Sequence, residues 1–272
     1  MEVQSVLTTG ANSGIGLASV IALAKAGFRS VGSVRSKAKA DLVAEAARNA
    51  GTEVETVLLD VTDAKACAGV IDSLRPDGLV NNAGFGSVGA VEDVSDDEAS
   101  AMLETMVLAP IRLARLALPY MRERGRGRII NVSSIYGFTT TPLSGWYQAA
   151  KHALEGVSDA LRAEVSSDGI HVVLVQPGGF KTNIWSENER SIEVRQGSRY
   201  SAAYRRLLSR LELAEPLMGN PEAVAHVITR AMRSRRPRSR YLVGYDAQIL
   251  ALTHPVLPDS VRDLISRWTL GL

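Results

Sequence analysis

A tyrosine and a lysine four residues apart, Tyr147 and Lys151 in the stretch GWYQAAKHALEGV, stand among small and apolar residues. On a helix, positions i and i+4 lie one above the other on one face, so the lysine can reach the neighbourhood of the tyrosine hydroxyl. A free phenol has a pKa of about 10, and a cation beside it lowers that value, which makes such a pair a candidate acid or base. The same spacing also occurs in helices where the phenol packs and the ammonium is solvated. The surroundings of the pair decide between the two.

The chain start offers a second chemistry. TTGANSGIGLASV places Gly10, Gly14 and Gly16 in a turn between a strand-like run and a helical one. Glycines there let the backbone approach a pyrophosphate, which the amides and positive dipole of the helix start then stabilise. In SVGSVRSK, Val34 fills the place where an NAD site usually carries a carboxylate, and Arg35 stands beside it between Ser33 and Ser36. A cation and small hydroxyls suit a 2′-phosphate, with a solvated surface arginine as the other reading. Asp60, in LLDVTD, either accepts a hydrogen bond from an adenine amino group or caps the helix that follows. Asn82 in LVNNAGFG and Ser134 in RIINVSSIYGF lie near further strand ends.

What must position these residues can be read from the alternation of short apolar runs with longer helical patterns. Strands are predicted at Val3–Thr8, Ser30–Val34, Val54–Asp60, Gly78–Asn81, Arg128–Ser133, Ile170–Gln176 and Tyr241–Val243. Helices are predicted at Gly16–Lys25, Ala40–Asn49, Asp97–Met121, Trp146–Val165 and Pro221–Arg233. Parallel strands need crossover connections, so the pattern implies an α/β fold: a doubly wound, mainly parallel sheet of about seven strands with helices on both faces. Ligands of such folds bind beyond the carboxyl ends of the strands, where the residues above fall. One domain over residues 1–272 is expected. Its long interruption, 181–219, follows a strand end, a place where lids are inserted.

Composition narrows the partners. A chain of 272 residues with 46% apolar content can bury one sizeable core. The net charge of +2 gives no global reason to expect nucleic acid; the basic run RAMRSRRPRSR from Arg230 to Arg240 reads as a solvated helix end and loop, or else as a phosphate contact. A single cysteine, Cys67, excludes an internal disulfide framework and suits a reducing compartment. Because Met1 leads almost directly into a strand, a cytoplasmic protein is expected, and no apolar run is long enough to span a membrane.

TGANSGIG, NNAG, the serine of NVSS, YQAAK and PGGFKT come in the order found in the short-chain dehydrogenase/reductase family, which the chain resembles from Val3 to about Gly244. PGGFKTNIW and YLVGYDAQILAL resemble the 17β-hydroxysteroid dehydrogenase-like carbonyl reductases within it. The resemblance implies Tyr147 as acid/base, Lys151 as the cation that also holds the nicotinamide ribose, and Ser134 as the partner of the substrate oxygen. It implies NADP(H) contacts from Gly10, Asn12, Ser13, Gly14, Ile15, Gly16, Arg35, Asp60, Val61, Asn82, Ala83 and Gly84, from Tyr147 and Lys151, and from Pro177, Gly178, Phe180 and Thr182. No metal is called for. Ser133, pointing the other way along its strand, is given a packing or backbone role.

The family usually carries an asparagine where TMVLAP has Met106, and a serine where YQAAK has Ala150. A thioether cannot replace the amide's hydrogen bonds, although the backbone carbonyl remains. Three functions follow: an NADP(H)-dependent oxidoreductase of alcohols and ketones, a catalytically weak NADP(H)-binding sensor or partner, and a nucleic-acid module resting on the arginine run alone. Phe85, Ile135, Phe138, Leu143, Phe180 and Trp185 are the candidate substrate pocket, suited to an apolar carbonyl compound such as a steroid-like or aryl ketone. Family members commonly pair through the long helices, so a homodimer or homotetramer is expected, with the apolar face of IRLARLAL either in that interface or against the protein's own sheet.

Overall fold

The computed structural model describes residues 4–195 and 197–272. Its seven strands are β1 (Ser5–Thr8), β2 (Arg29–Val34), β3 (Glu55–Leu58), β4 (Gly78–Asn81), β5 (Gly127–Val132), β6 (Ile170–Pro177) and β7 (Arg240–Val243). They form one parallel sheet in the order β3-β2-β1-β4-β5-β6-β7. Between β3 and β4 the chain returns across the sheet, so β1 and β4 diverge in their connections. The crevice at that reversal is where doubly wound sheets bind ligands. The predicted strand start at Val3 lies outside the described residues.

Alternation along the strands sorts the core into two layers. Leu7, Leu79, Ile129 and Val172 face one side of the sheet, and their neighbours Val6, Val80, Ile130 and Val173 face the other. On the first side pack α3 (Ala64–Leu74), α5 (Ala109–Glu123) and α6 (Gly145–Glu164); on the second, α1 (Gly14–Lys25) and α9 (Pro221–Arg233). The apolar face of IRLARLAL, with Leu113, Ala114, Ala117 and Leu118, is therefore spent on the protein's own sheet. The remaining helices are α2 (Lys37–Asn49), α4 (Asp96–Leu103), α7 (Ile184–Glu193), α8 (Ser201–Ala214), α10 (Tyr245–Thr253) and α11 (Asp259–Leu270). Among the described residues, no helix is long and apolar enough to cross a membrane.

The helix predicted over Asp97–Met121 is divided. Between α4 and α5, Glu104–Leu108 forms a wide turn in which the Ala109 amide bonds back five residues to the Glu104 carbonyl. Pro110 explains the weakness of the ladder here: it has no N–H, so the Met106 carbonyl loses the donor that an α-helix would supply. The α-helical donor is thus missing at the position where the family's asparagine is replaced.

Candidate active site

The glycine turn is a cradle with little room for side chains. Gly10 and Gly14 have φ of +66° and +51°, the left-handed region that favours glycine, and a Cβ on Gly16 would stand 2.1 Å from the Gly10 carbonyl oxygen. Ser13 precedes α1 in an extended conformation without a side-chain capping bond, and the first turn carries no acidic residue. The Gly14, Ile15 and Gly16 amides are therefore not claimed by a cap, which fits a cradle for an anionic cofactor. Thr182 closes the other wall, its methyl 3.1 Å from where a Gly14 Cβ would be.

Asn82, expected as a cofactor contact, also holds the glycine turn in place. Its Nδ2 donates to the carbonyls of Thr9 (3.0 Å) and Gly10 (3.3 Å), tying the end of β4 to the turn. Thr9, which the sequence reading passed over, completes the stitch by accepting from the Asn82 and Ala83 amides at 2.9 Å. At the end of β2, Val34 and Ser33 are buried, Ser36 caps α2, and Arg35 is exposed to solvent. Asp60 accepts from the amide and hydroxyl of Thr62, which holds its carboxyl below its ordinary pKa, with Arg35 adding a smaller pull. The cap of α3 is Asp63, not Asp60. Val61 is buried, and its carbonyl accepts from Arg112 and Cys67, so it shapes the wall from within.

The catalytic candidates converge on the end of β5. Lys151 Nζ donates to the Val132 carbonyl at 2.9 Å and lies 5.7 Å from the centre of the Tyr147 ring. Helix α6 is registered against the sheet by a buried chain in which Asn81 donates to Asn131 (2.7 Å) and Asn131 to Ser158 (2.8 Å). Burial pushes the Tyr147 phenol above its ordinary pKa; the Ser134 hydroxyl opposes this by hydrogen bonding, and Tyr136, edge-on at 6.1 Å, reinforces it. Burial lowers Lys151 to about 8, with Glu155 one turn further along α6 opposing the fall. The lowering of the phenol pKa expected from the lysine is not found: the shift is upward, with burial as its largest cause, and Tyr147 is protonated at neutral pH. Ser133 lies behind, its amide bonded to Val175 and its side chain buried.

A family model described as short chain dehydrogenase matches residues 4–193, from β1 through the cradle and this cluster into α7. The chain belongs to this family. A 3-ketodihydrosphingosine reductase of Bacteroides thetaiotaomicron is 33% identical, covering 98% of both chains. Human 17-beta-hydroxysteroid dehydrogenase type 1 is 30% identical over 87% of this chain and 76% of its own. A crystal structure of a variant actinorhodin polyketide ketoreductase with NADPH superposes with a TM-score of 0.75 at 26% identity, covering 88% of this chain and 95% of the other.

In this short-chain dehydrogenase the segment 181–219 folds back over the β4 and β5 ends as α7 and α8. Glu187 accepts from the Gly86 amide (2.8 Å), Arg195 reaches Glu98 (2.6 Å), and Tyr204 donates to Asp93 (2.6 Å) while accepting from the Ala90 amide (2.7 Å). Phe85 packs with Met102, Met106, Trp146 and Tyr147, and Ile135 is half-buried in the turn after Ser134. Trp185 donates its indole N–H to the Phe180 carbonyl at 2.6 Å, at the root of the lid. Leu143 is buried among lid residues, held at φ +66° by the bond from Gly89 to its carbonyl.

Two of the expected substrate residues are placed elsewhere. The Phe180 ring is buried against Gly219 and Val243, because the bridge between Phe180 and Gly219 turns it into the core. Phe138 lines a separate cleft of about 750 Å³ beside Tyr241 and Gln248, on the β7 edge. The PGGF turn also has an unforeseen anchor: Asp246 of α10 accepts from the Gly179 amide at 2.6 Å and leaves no room for a Cβ on Gly178. Gly178 in turn bonds the Val243 carbonyl, continuing the β6–β7 pairing from Pro177.

Proposed function

We propose that this short-chain dehydrogenase reduces an apolar ketone, or oxidises the matching alcohol, with NADP(H) and with Tyr147 as the acid or base. The observation that carries the reading is the convergence of Ser134, Tyr147 and Lys151 beside a cradle whose helix-start amides are unclaimed. A bound nicotinamide supplies or accepts the hydride at the carbonyl carbon. Tyr147, half-buried and with its pKa raised, is neutral and gives its hydroxyl proton to the carbonyl oxygen in the reductive direction. Ser134, beside that hydroxyl, is suited to hold the same oxygen, and Lys151 keeps a positive charge near the phenolate left behind.

Arg35 supports the phosphorylated cofactor, since it is exposed beside the buried Val34 where an acid would otherwise repel a 2′-phosphate. The NADPH complex of the related ketoreductase points the same way. The cluster of Phe85, Met102, Met106 and Trp146 around Tyr147 favours an apolar carbonyl compound, as do the 3-ketodihydrosphingosine reductase and the 17-beta-hydroxysteroid dehydrogenase among its relatives. The test is a panel of ketones followed by NADPH absorbance, repeated with Tyr147→Phe. A loss of about a hundredfold in turnover with NADPH affinity little changed supports the assignment; full activity in the variant overturns it.

A second reading, a cofactor-binding protein with weak catalysis, draws on Met106. Its side chain is buried beside Gly84 and Tyr147 and offers no amide to the site.

A further inference from the structure

The last helix of the chain is inside out for a soluble protein. On α11, Val261, Leu264, Ile265 and Trp268 recur at i, i+3, i+4 and i+7, the spacing of an apolar stripe that normally packs inward. Here that stripe faces solvent, with Leu264 at 63% and Trp268 at 83% exposure, while Arg262, Ser266 and Leu270 are turned toward the body of the protein. Helix α10 repeats the pattern: Tyr245, Ile249 and Leu252 share one face and all are exposed. Val256 and Leu257, in the connection between the two helices, are exposed as well. Scattered apolar residues on a surface need no explanation, but two consecutive helical stripes left uncovered do.

The charge around them identifies the cover. Helices α10 and α11 themselves carry two arginines, Arg262 and Arg267, against three aspartates, so the positive charge beside the apolar stripe is supplied by α8. Trp268 itself borders a groove of about 560 Å³ lined by Arg205, Arg206 and Arg210 of α8. Arg206 caps the end of α11 through the Leu270 carbonyl at 3.0 Å, fixing the groove, while Arg205 and Arg210 make no ion pair among the described residues. A stripe of leucine, isoleucine and tryptophan flanked by uncommitted arginines is the make-up of a helix lying in the interface of an anionic bilayer. In a two-fold pair of chains built on the same face, this arginine groove would be brought towards its own copy, which the charges oppose.

We propose that α10 and α11, with the arginine groove of α8, dock this protein on an anionic lipid surface. The geometry has a consequence for the reaction site. Leu270 is buried with Tyr204, Ala203 and Leu143, so α11 is packed on the lid and docking sets the lid side of the molecule against the bilayer. Among the described residues no helix is long and apolar enough to cross a membrane, and a helix that lies in the interface does not need to be.

The full chain is sedimented with vesicles of phosphatidylglycerol and phosphatidylcholine in about equal parts, and with vesicles of phosphatidylcholine alone. Binding to the anionic vesicles is expected, stronger than to the neutral ones by about tenfold and weakened in about 1 M salt. Leu264→Asp combined with Trp268→Asp, and separately Arg205→Glu combined with Arg210→Glu, should each lower binding by about tenfold or more. All four positions are exposed, so the fold should survive, as circular dichroism can verify, and ketone reduction without vesicles should be unchanged. The docking needs no catalysis to be read, so it stands or falls apart from the proposed reaction. Absence of sedimentation, equal binding to both vesicle types, or unaltered binding by both double variants overturns the proposal. So does a dimer in light scattering that the Leu264→Asp, Trp268→Asp variant splits while vesicles stay unbound, since a second copy is then the occupant.

Discussion

Lys151 sits one helical turn from Tyr147 with its ammonium anchored on the Val132 carbonyl, so the cation is fixed to the end of β5 and not free to follow solvent. Burial lowers this lysine to about 8. Below that pH the site holds an ammonium and a neutral phenol; above it the ammonium loses its proton. Reduction, which leaves a phenolate beside Lys151, should therefore lose kcat/KM as pH rises through about 8. Stability should change in the opposite sense: between about 8 and the ordinary lysine value of 10.5 the unfolded chain binds more protons, so this group favours folding increasingly as pH rises. A pH–rate profile beside chemical denaturation at each pH checks both. Glu155→Gln, which removes the charge that supports the ammonium, should shift the fall in rate to lower pH.

Cofactor choice rests on Arg35. Arg35→Ala should weaken NADPH by about tenfold while leaving NADH within about twofold, because an exposed charge-assisted contact to one phosphate is removed and the ribose has no acid to gain. Fluorescence titration of both cofactors measures it. Equal losses for the two would place Arg35 outside the phosphate site.

The strand order and the glycine turn were legible because both depend on local pattern: buried parallel strands read as apolar runs, and a turn that meets the Asn82 strand end tolerates no Cβ. The partition of α4 and α5 was less visible, since its cause is the single missing N–H of Pro110 within an otherwise helical sequence. Phe138 and Phe180 were misplaced for a different reason. An aromatic residue near a strand end reads the same whether it lines the site or packs behind it, and only the Phe180–Gly219 bridge and the β7 edge decide. Asp246 lies 67 residues from the amide it accepts, so no local signal connects them. Thr9, directly before Gly10, was findable: a threonine at a strand end can bond amides of the adjoining strand.

Gly16→Ala should cost the cradle its shape. The new methyl would stand 2.1 Å from the Gly10 carbonyl oxygen and 2.6 Å from Asn82 Nδ2, and the first of these is backbone that cannot swing away. NADPH affinity is expected to fall by at least about tenfold, with a drop in melting temperature of several degrees for a cost of ~1–3 kcal/mol. Calorimetric titration and thermal unfolding give the two values.

Tyr204 ties the lid to the short turn that follows Gly89. Tyr204→Phe removes a hydroxyl that both donates to Asp93 and satisfies the Ala90 amide, leaving the latter buried without a partner. A loss of ~1–3 kcal/mol in stability is expected. Since the lid is loosened while Tyr147 and Lys151 are untouched, KM for the ketone should rise more than kcat falls. Steady-state kinetics across ketone concentrations separate the two; a fall in kcat alone would show that the lid contact acts on the chemical step.

Met106 provides the sharpest separation between an active reductase and a cofactor-binding protein. Its side chain is buried and apolar, but Pro110 leaves its carbonyl without an α-helical donor, and the wide turn from Glu104 to Leu108 opens the ladder at that point. If that carbonyl serves the proton path to Lys151, the asparagine amide is dispensable, and Met106→Asn should change turnover by roughly tenfold or less. The substitution also introduces an amide beside Gly84 and Ala150 in an apolar cluster, so a modest loss of stability is expected with it. Pro110→Ala is the complementary change: it restores the missing N–H and should draw the Met106 carbonyl back into the helix ladder, lowering turnover while leaving NADPH affinity in place. Both variants belong in one assay with the best ketone of the panel. A wild type that binds NADPH, reduces no ketone, and becomes active with Met106→Asn would make the sensor the better account of this protein.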